Sequence, residues 1–262
     1  MANKIDNCFA QLRAEKRKGF IPYICAGDPS FDITVDLALA LEKSGADILE
    51  LGLPFSDPLA DGIVNQLAAQ RALTAGATTR GVLECVRRIR ARSTIPIILY
   101  TYLNPIFQFG LEKFHSEAEA AGVDGLLILD LPPEEDVDLA IGNLVHIRLI
   151  APTTPRERIA TIAKNAKGFL YYVSREGVTG ARENVASSLA AQVALLRELS
   201  DLPIAVGFGI STPAHAREVA QHADAVVVGS AIVDLIAKHG DNAVGEVSRL
   251  ARELIAEIKQ VE

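Results

Sequence analysis

The sequence LPIAVGFGISTP, at residues 202–213, contains the structural unit from which the fold can be inferred. An apolar run typical of a buried β-strand leads into a glycine-rich loop, and Pro213 then stands where a helix can begin. Proline suits the first helical position because its missing N–H has no intrahelical partner there. A run that is apolar on both faces is typical of a parallel strand covered by helices. The stretch therefore predicts a strand, a loop and a helix of an α/β fold.

The same unit recurs along the whole chain. Eight strands are predicted, at residues 20–27, 46–51, 94–102, 125–131, 146–152, 168–174, 202–209 and 223–230. Eight strand–helix units within one domain, residues 1–262, predict a (β/α)8 TIM barrel. An open, doubly wound sheet is the alternative, but such a sheet rarely reaches eight units without a second domain.

Some helix ends can also be predicted. Ser30 is expected to cap a helix that ends at Gly45, and Thr154 is expected to cap a helix whose first residue is Pro155. An additional helix at residues 5–17 precedes the first strand, and we expect it to close the bottom of the barrel.

The composition disfavours several classes of partner. The chain has 262 residues, of which 49% are hydrophobic and 23% charged, and its formal net charge is −7. An acidic protein without a Lys/Arg cluster is poorly suited to nucleic acid or to an anionic membrane. The polar N-terminal segment and the lack of an apolar run of about 20 residues predict a cytoplasmic protein.

No metal site is expected. Cys8, Cys25 and Cys85 are too far apart in sequence for a zinc or redox motif, and the five histidines lack the spacing of metal ligands. We interpret the cysteines as small buried or half-buried side chains in a reducing compartment, and we expect no catalytic histidine.

Two glycine loops predict an anion site. The loops at residues 207–212 and 229–233 follow the last two strands, and both lead into helical turns. Backbone N–H groups at helix N-termini bind phosphate, and these loops often do so in a barrel of this kind. The alternative is that the glycines only permit tight turns.

The segment ELGLPFSDPLADG, at residues 50–62, carries three acids and no basic residue. Glu50 falls at the end of the second strand and is expected to face the barrel mouth, where Tyr102, Leu127 and Tyr171 should also project. Apolar surroundings raise the pKa of a carboxyl group, which suits Glu50 to proton transfer near neutral pH. The alternative is a structural acid neutralised by a neighbour.

The other two acids of this segment lie on the loop. Asp61 is positioned to accept a hydrogen bond from a ligand, unless it only caps the loop, and Asp57 is interpreted as a turn former. After the sixth strand, the glycine-containing loop at residues 174–185 is long enough to act as a lid that brings Thr179 and Gly180 to the mouth. A solvated loop without this role is the alternative.

Several motifs, taken in order along the chain, resemble the tryptophan synthase α-chain family. They are FIPYICAGDPS, ADILELGLPFSDPLADG, YTYLNPIF, LILDLPPEE, YYVSREGVTGARE, VGFGIS and VVVGSAIV. The resemblance implies cleavage of indole-3-glycerol phosphate to indole and glyceraldehyde 3-phosphate, a retro-aldol reaction that needs no cofactor in this chain. It implies that Glu50 transfers protons and that Asp61 holds the indole N–H.

The resemblance also assigns binding residues. An apolar slot for indole is implied at Tyr23, Tyr102, Leu127, Tyr171 and Phe208, and Thr179 corresponds to a lid threonine. Phosphate-binding positions are implied at Gly180, Gly209, Gly229 and Ser230.

A partner subunit is implied as well. Members of the family work with a β chain that carries pyridoxal phosphate, so an α2β2 complex is expected, and the loop with Pro54, Asp57 and Pro58 resembles the contact surface for that chain. Here the family's usual ADGP-x-I-Q is replaced by ADGIVNQ, so Ile63 stands in place of a proline and Asn65 in place of an apolar residue. Loss of a proline that fixes φ is expected to loosen this loop.

Two alternatives differ in function. One is a sugar-phosphate isomerase or epimerase that uses the same barrel and phosphate site. The other is a weakly active or inactive subunit whose role is to activate a β chain.

Overall fold

A computed structural model describes residues 3–132, 142–173, 182–207 and 209–261, with the backbone alone at residues 182–188. The strands are β1 Gly19–Cys25, β2 Leu49–Gly52, β3 Ile97–Thr101, β4 Gly125–Ile128, β5 Val145–His146, β6 Arg148–Ile150, β7 Leu170–Val173, β8 Ile204–Gly207 and β9 Ala225–Val228. Within the described ranges these strands form a single sheet in the order β5-β4-β3-β2-β1-β9-β8-β7-β6, and every paired neighbour is parallel. The predicted (β/α)8 barrel is confirmed.

The segment predicted as the fifth strand forms two short ladders. Val145–His146 pairs with β4, whereas Arg148–Ile150 pairs with β7, and only Ile147 separates them. The N–H of Ile147 continues the first ladder by donating to the carbonyl of Leu126 at 2.8 Å. Closing a barrel requires the strands to be staggered, so this one segment meets its two neighbours at different heights.

Helices cover the outside of the sheet and one end of the barrel. They are α1 Lys4–Ala14, α2 Phe31–Ser44, α3 Ile63–Thr74, α4 Thr79–Arg90, α5 Leu103–Phe109, α6 Leu111–Ala121, α7 Arg156–Asn165, α8 Arg182–Leu199, α9 Pro213–Ala220, α10 Ser230–His239 and α11 Ala243–Ile258, with a 3-10 turn at Gly240–Asn242. In the described part of the chain, no helix combines the length and apolar character needed to cross a membrane.

The N-cap predicted for α2 is confirmed, whereas the one predicted for α7 is not. The side chain of Ser30 accepts a hydrogen bond from the N–H of Ile33, and Gly45 ends α2 with a left-handed φ of 107°, as predicted. The prediction for α7 was wrong by one residue, because Pro155 is the N-cap rather than the first helical residue. The hydroxyl of Thr154 is turned back to accept a hydrogen bond from the N–H of Ala151 at 3.1 Å, which is turn chemistry rather than capping.

The first helix closes the bottom of the barrel, as expected. Ile5, Phe9 and Leu12 belong to the same hydrophobic cluster as the inward-facing strand residues. The ring of Phe9 lies 5.3 Å from the ring of Phe169, centroid to centroid. Gly125, at the start of β4, leaves room for this helix, because a Cβ at that position would lie only 2.9 Å from Ile5 Cδ1.

Alternation along β2 sets the direction of its carboxyl group. Leu49 and Leu51 belong to the cluster between the sheet and the helices, whereas Ile48 belongs to the cluster inside the barrel. Successive side chains of a strand point to opposite faces, so Glu50 points inward with Ile48.

Candidate active site

A cavity of about 1070 Å³ opens at the carboxyl ends of the strands. Its described lining comes from β1–β3, from β6–β9, from loops at the carboxyl ends of the strands, and from the first residues of α3 and α10. The lining includes Tyr23, Glu50, Asp61, Tyr100, Leu129, Tyr171, Gly209, Gly229 and Ser230. This is the end of a (β/α)8 barrel at which enzymes of this fold carry out their chemistry.

Glu50 is a buried carboxyl group on the cavity wall. It is only 2% exposed and lies opposite Tyr23 in the β1–β2 register. Burial, and to a smaller extent the negative charge of Asp61, raise the pKa of Glu50 to about 8, although a hydrogen bond from Tyr171 acts in the opposite direction. At neutral pH this carboxyl group is therefore mostly protonated and able to donate a proton.

Asp61 is held by two tyrosine hydroxyl groups. Tyr100 donates to its Oδ1 at 2.7 Å, and Tyr102 donates to its Oδ2 at 2.8 Å. Its backbone is fixed as well, since the N–H donates to the carbonyl of Pro58 at 3.1 Å and the carbonyl accepts from Gln66 Nε2 at 2.8 Å. Each carboxylate oxygen has a second lone pair, so the group can still accept a hydrogen bond from a ligand.

The glycine-containing wall of the cavity lies where β8 and β9 end. The helix α10 begins at Ser230, and Gly229 is its N-cap residue. The first N–H groups of a helix have no intrahelical acceptor, so they are available to an anion. At Gly209, no described residue other than its chain neighbours has an atom within 4 Å of the place a Cβ would occupy, so these residues leave the backbone accessible to a ligand.

The structure brings together seven of the twelve residues named from the sequence. Glu50, Asp61, Tyr23, Tyr171, Gly209, Gly229 and Ser230 line the cavity. Tyr102 and Leu127 are not among the described lining residues: Tyr102 reaches Asp61 through its hydroxyl group, and Leu127 lies in the interior cluster. Thr179, Gly180 and Phe208, like most of the predicted lid, lie outside the described residues.

Sequence reasoning missed Tyr100 and Leu129. Both lie two residues from a residue that was named, Tyr100 before Tyr102 and Leu129 after Leu127, and both line the cavity. Residues two apart on a strand share a face. The alternation therefore predicted which residues face the inside of the barrel, but not which of them lie at the level of the cavity.

Comparison with known proteins identifies the family of the chain. A family model described as tryptophan synthase alpha chain matches residues 9–261. The chain belongs to this family. Membership favours the predicted lyase over the sugar-phosphate isomerase or epimerase.

Curated members of the family are similar over most of their length. The tryptophan synthase alpha chain of Opitutus terrae is 49% identical over 258 residues, which cover 97% of this chain and 96% of that one. The alpha chain of Geobacter sulfurreducens is 50% identical over 237 residues, which cover 89% of this chain and 90% of that one.

Solved structures of the family share the fold. Tryptophan synthase subunit alpha from Legionella pneumophila superposes with a TM-score of 0.93 at 40% identity, and all of both chains is covered. A chain from the tryptophan synthase α2β2 complex of Pyrococcus furiosus superposes with a TM-score of 0.86 at 37% identity, covering 92% of this chain and 99% of that one.

Proposed function

We propose that this chain cleaves indole-3-glycerol phosphate to indole and glyceraldehyde 3-phosphate, as the α subunit of tryptophan synthase in tryptophan biosynthesis. The observation that carries the proposal is the pairing of two walls in one cavity. Glu50 lies on one wall with a pKa of about 8, and Gly209, Gly229 and the start of α10 lie on another. A proton donor among aromatic rings and a wall of amide groups suit a flat apolar ring system joined to a phosphate.

The reaction breaks the bond between indole C3 and the adjacent carbon of the glycerol chain. Glu50 donates its proton to C3, which leaves a cationic ring whose charge is shared by the ring nitrogen. The resulting carboxylate takes the proton of the hydroxyl group on the adjacent carbon. The electron pair of that O–H bond forms the aldehyde carbonyl, and the pair of the broken C–C bond returns to the ring. Indole is released, and Glu50 regains the proton it donated.

Asp61 is assigned to the ring nitrogen. Its carboxylate accepts the indole N–H and stabilises the positive charge that develops when C3 is protonated. The two tyrosine hydrogen bonds to Asp61 support this role, because each holds one carboxylate oxygen and together they restrict the orientation of the group.

The indole ring and the phosphate of the substrate bind to different walls of the cavity. Tyr23 and Tyr171 form part of the apolar slot for the ring, and Gly209, Gly229 and Ser230 bind the phosphate through N–H groups, with a further contribution from Gly180. No group supplied by a cofactor takes part in these steps.

We further propose a tryptophan synthase β chain as the partner, in an α2β2 complex in which pyridoxal phosphate belongs to the β chain. Leu59, Ile63 and Leu67 support this, because they are 81%, 66% and 47% exposed on one segment beside the active site. Large exposed apolar side chains on one surface are typical of a protein interface. Of the loop residues that resemble the family's contact surface, Asp57 is exposed and Pro54 is buried. We assign this complex to the cytoplasm, where free thiols such as Cys8 and Cys25 persist.

The deciding experiment measures indole release from indole-3-glycerol phosphate by the purified chain, alone and with a β chain. We expect release by the chain alone and faster release in the complex. Turnover of a pentose phosphate without any indole would favour the isomerase instead. Activation of the β chain without indole release under either condition would leave only an activating subunit.

The partner surface has its own test. Leu59→Ser should weaken binding of the β chain about tenfold in titration calorimetry, because an apolar side chain at an interface contributes on this order. Gln11→Ala, at an exposed position on the helix that closes the opposite end of the barrel, is the matched control. Equal affinity of the two variants would place the interface elsewhere.

A further inference from the structure

Two tyrosine hydroxyl groups hold the carboxylate of Asp61 by hydrogen bonds. Tyr100 lies in β3 and Tyr102 directly follows the end of that strand, and each hydroxyl group donates to a different oxygen of the carboxylate. A phenol that donates to a carboxylate makes a charge-assisted hydrogen bond, which is stronger than a bond between neutral groups. The acid assigned to the ring nitrogen therefore has its orientation set by these two side chains.

The two tyrosines have different neighbours. The hydroxyl oxygen of Tyr102 also accepts a hydrogen bond from the N–H of Ala60 at 3.0 Å, so Tyr102 holds the loop backbone as well as the carboxylate. Tyr100 lines the cavity, and its hydroxyl bond to Asp61 concerns the carboxylate alone. Tyr100 is thus the residue through which the carboxylate can be changed without releasing the Ala60 N–H.

The ring of Tyr100 is itself held in place. It packs edge-on against Tyr23, with centroids 5.1 Å apart and planes at 68°. It also packs against the apolar cluster that contains Ala68 and Ala69 of α3. A ring fixed in this way, on a strand of the barrel, keeps its hydroxyl group directed at one point.

The hydroxyl group of Tyr100 is a permanent donor. Burial and the charge of Asp61 raise the pKa of Tyr100 well above its ordinary value, so the phenol keeps its proton throughout the range in which the protein works. Since a tyrosine has a single O–H proton and the carboxylate can only accept, the direction of this bond is fixed.

We propose that Tyr100 is a positioning residue for Asp61, and that its hydroxyl group determines how strongly the site distinguishes a ring that carries an N–H from one that does not. This inference rests on the proposed role of Asp61 at the ring nitrogen. By occupying one lone pair of Oδ1, Tyr100 directs the remaining lone pairs into the cavity. A site built to accept a hydrogen bond from substrate rejects an analogue that lacks the donor, because its own buried acceptor is then left unpaired.

The test uses two non-cleavable ligands that differ at one atom. One is a 3-alkylindole phosphate, and the other is the matching benzothiophene, in which sulfur replaces the N–H. Titration calorimetry on the full chain gives the ratio of their dissociation constants. We expect the wild-type protein to prefer the indole by about 30-fold or more, since a hydrogen bond to a charged group contributes on this scale.

Tyr100→Phe removes only the hydroxyl group. We expect it to reduce the preference for the indole about tenfold and to leave the affinity for the benzothiophene within about twofold of the wild-type value. A residue with a merely structural role would weaken both ligands equally. Tyr172→Phe, on the outward-facing side of β7, is the matched control for loss of a buried tyrosine hydroxyl, and its preference should equal that of the wild type. Should Tyr100→Phe fail to fold, Tyr100→Met keeps an apolar wall and should show the same loss.

A double-mutant cycle separates this inference from the function on which it rests. Asp61→Ala should abolish the preference, and adding Tyr100→Phe to it should change nothing more, because Tyr100 acts through Asp61. If Asp61→Ala loses the preference while Tyr100→Phe keeps it, the role of Tyr100 is wrong and the role of Asp61 stands. If Asp61→Ala also keeps it, the assignment of Asp61 to the ring nitrogen is wrong, and the inference about Tyr100 fails with it.

Discussion

Arg71 of α3 binds both carboxylate oxygens of Asp28, which follows β1. Its Nε lies 2.8 Å from Oδ1, and its Nη2 lies 2.7 Å from Oδ2. Asp28 is 1% exposed. Because α3 begins two residues after Asp61, this bidentate pair links the helix that follows the Asp61 loop to the end of β1.

Removal of Arg71 should destabilise the protein more than removal of an arginine from a surface pair. Arg71→Met leaves a buried carboxylate without its cation, so the free energy of unfolding should fall by about 3 kcal/mol. Arg88, which pairs with Asp32 at 2.6 Å where both side chains are exposed, provides the control, and Arg88→Met should cost less than about 0.5 kcal/mol. Urea denaturation of both variants gives the comparison, and equal losses would refute the importance of the Arg71–Asp28 pair.

Glu50→Gln should abolish most of the activity and preserve the fold. An amide cannot donate and recover a proton, so indole release should fall by about 10²–10⁴-fold with an unchanged circular dichroism spectrum. Near-normal turnover would rule out the proton-transfer role.

The activity should also depend on pH through Glu50. Its protonated form is the donor and its pKa lies near 8, so kcat/KM should fall as the pH rises through about 8. A rate profile measured from pH 6 to 10 on the full chain tests this. A rate that stays flat across that range contradicts the assignment.

Glu50 should make folding stability pH-dependent as well. Its pKa is raised from 4.5 to about 8 by folding, so the folded state holds a proton that the unfolded state has released. The stability contributed by the protonated form is complete below about pH 4.5 and is lost as the pH rises to about 8. Relative to the wild type, Glu50→Gln should gain several kcal/mol between pH 4.5 and pH 9.

An exposed carboxyl group provides the control for that measurement. Asp36→Asn, at an exposed position of α2, should show no comparable gain in urea denaturation across the same pH range. If both variants respond to pH in the same way, burial of Glu50 does not cause the effect.

The helix that closes the barrel bottom should contribute strongly to stability. Phe9 is 5% exposed and packs against Phe169, so Phe9→Ala should lower the free energy of unfolding by about 3 kcal/mol, because it leaves a cavity in the interior cluster. Gln11→Ala, at an exposed position of the same helix, should change it by less than about 0.5 kcal/mol. Thermal unfolding of the two variants shows whether α1 is packed firmly against the barrel interior or only loosely attached to it.

Much of the architecture follows from local sequence signals. The apolar runs identified the strands because a parallel strand buried on both faces must be apolar along its length. Ser30 and Gly45 marked the ends of α2 because one side chain satisfies an N–H within its own helix and the other residue tolerates a left-handed φ. Thr154 carried the same kind of signal, but its hydroxyl has a competing acceptor role toward the N–H of Ala151.

The sequence by itself determined the order of strands and helices, the family, and the two acids on which the proposed chemistry depends. Only the tertiary structure decided that Tyr100 rather than Tyr102 lines the cavity, that two tyrosines hold Asp61, and that one segment closes the barrel by pairing at two heights. Alternation along a strand indicates which side of the sheet a residue faces. Its depth relative to residues on other strands depends on the stagger of the closed barrel, which arises only when distant segments pair.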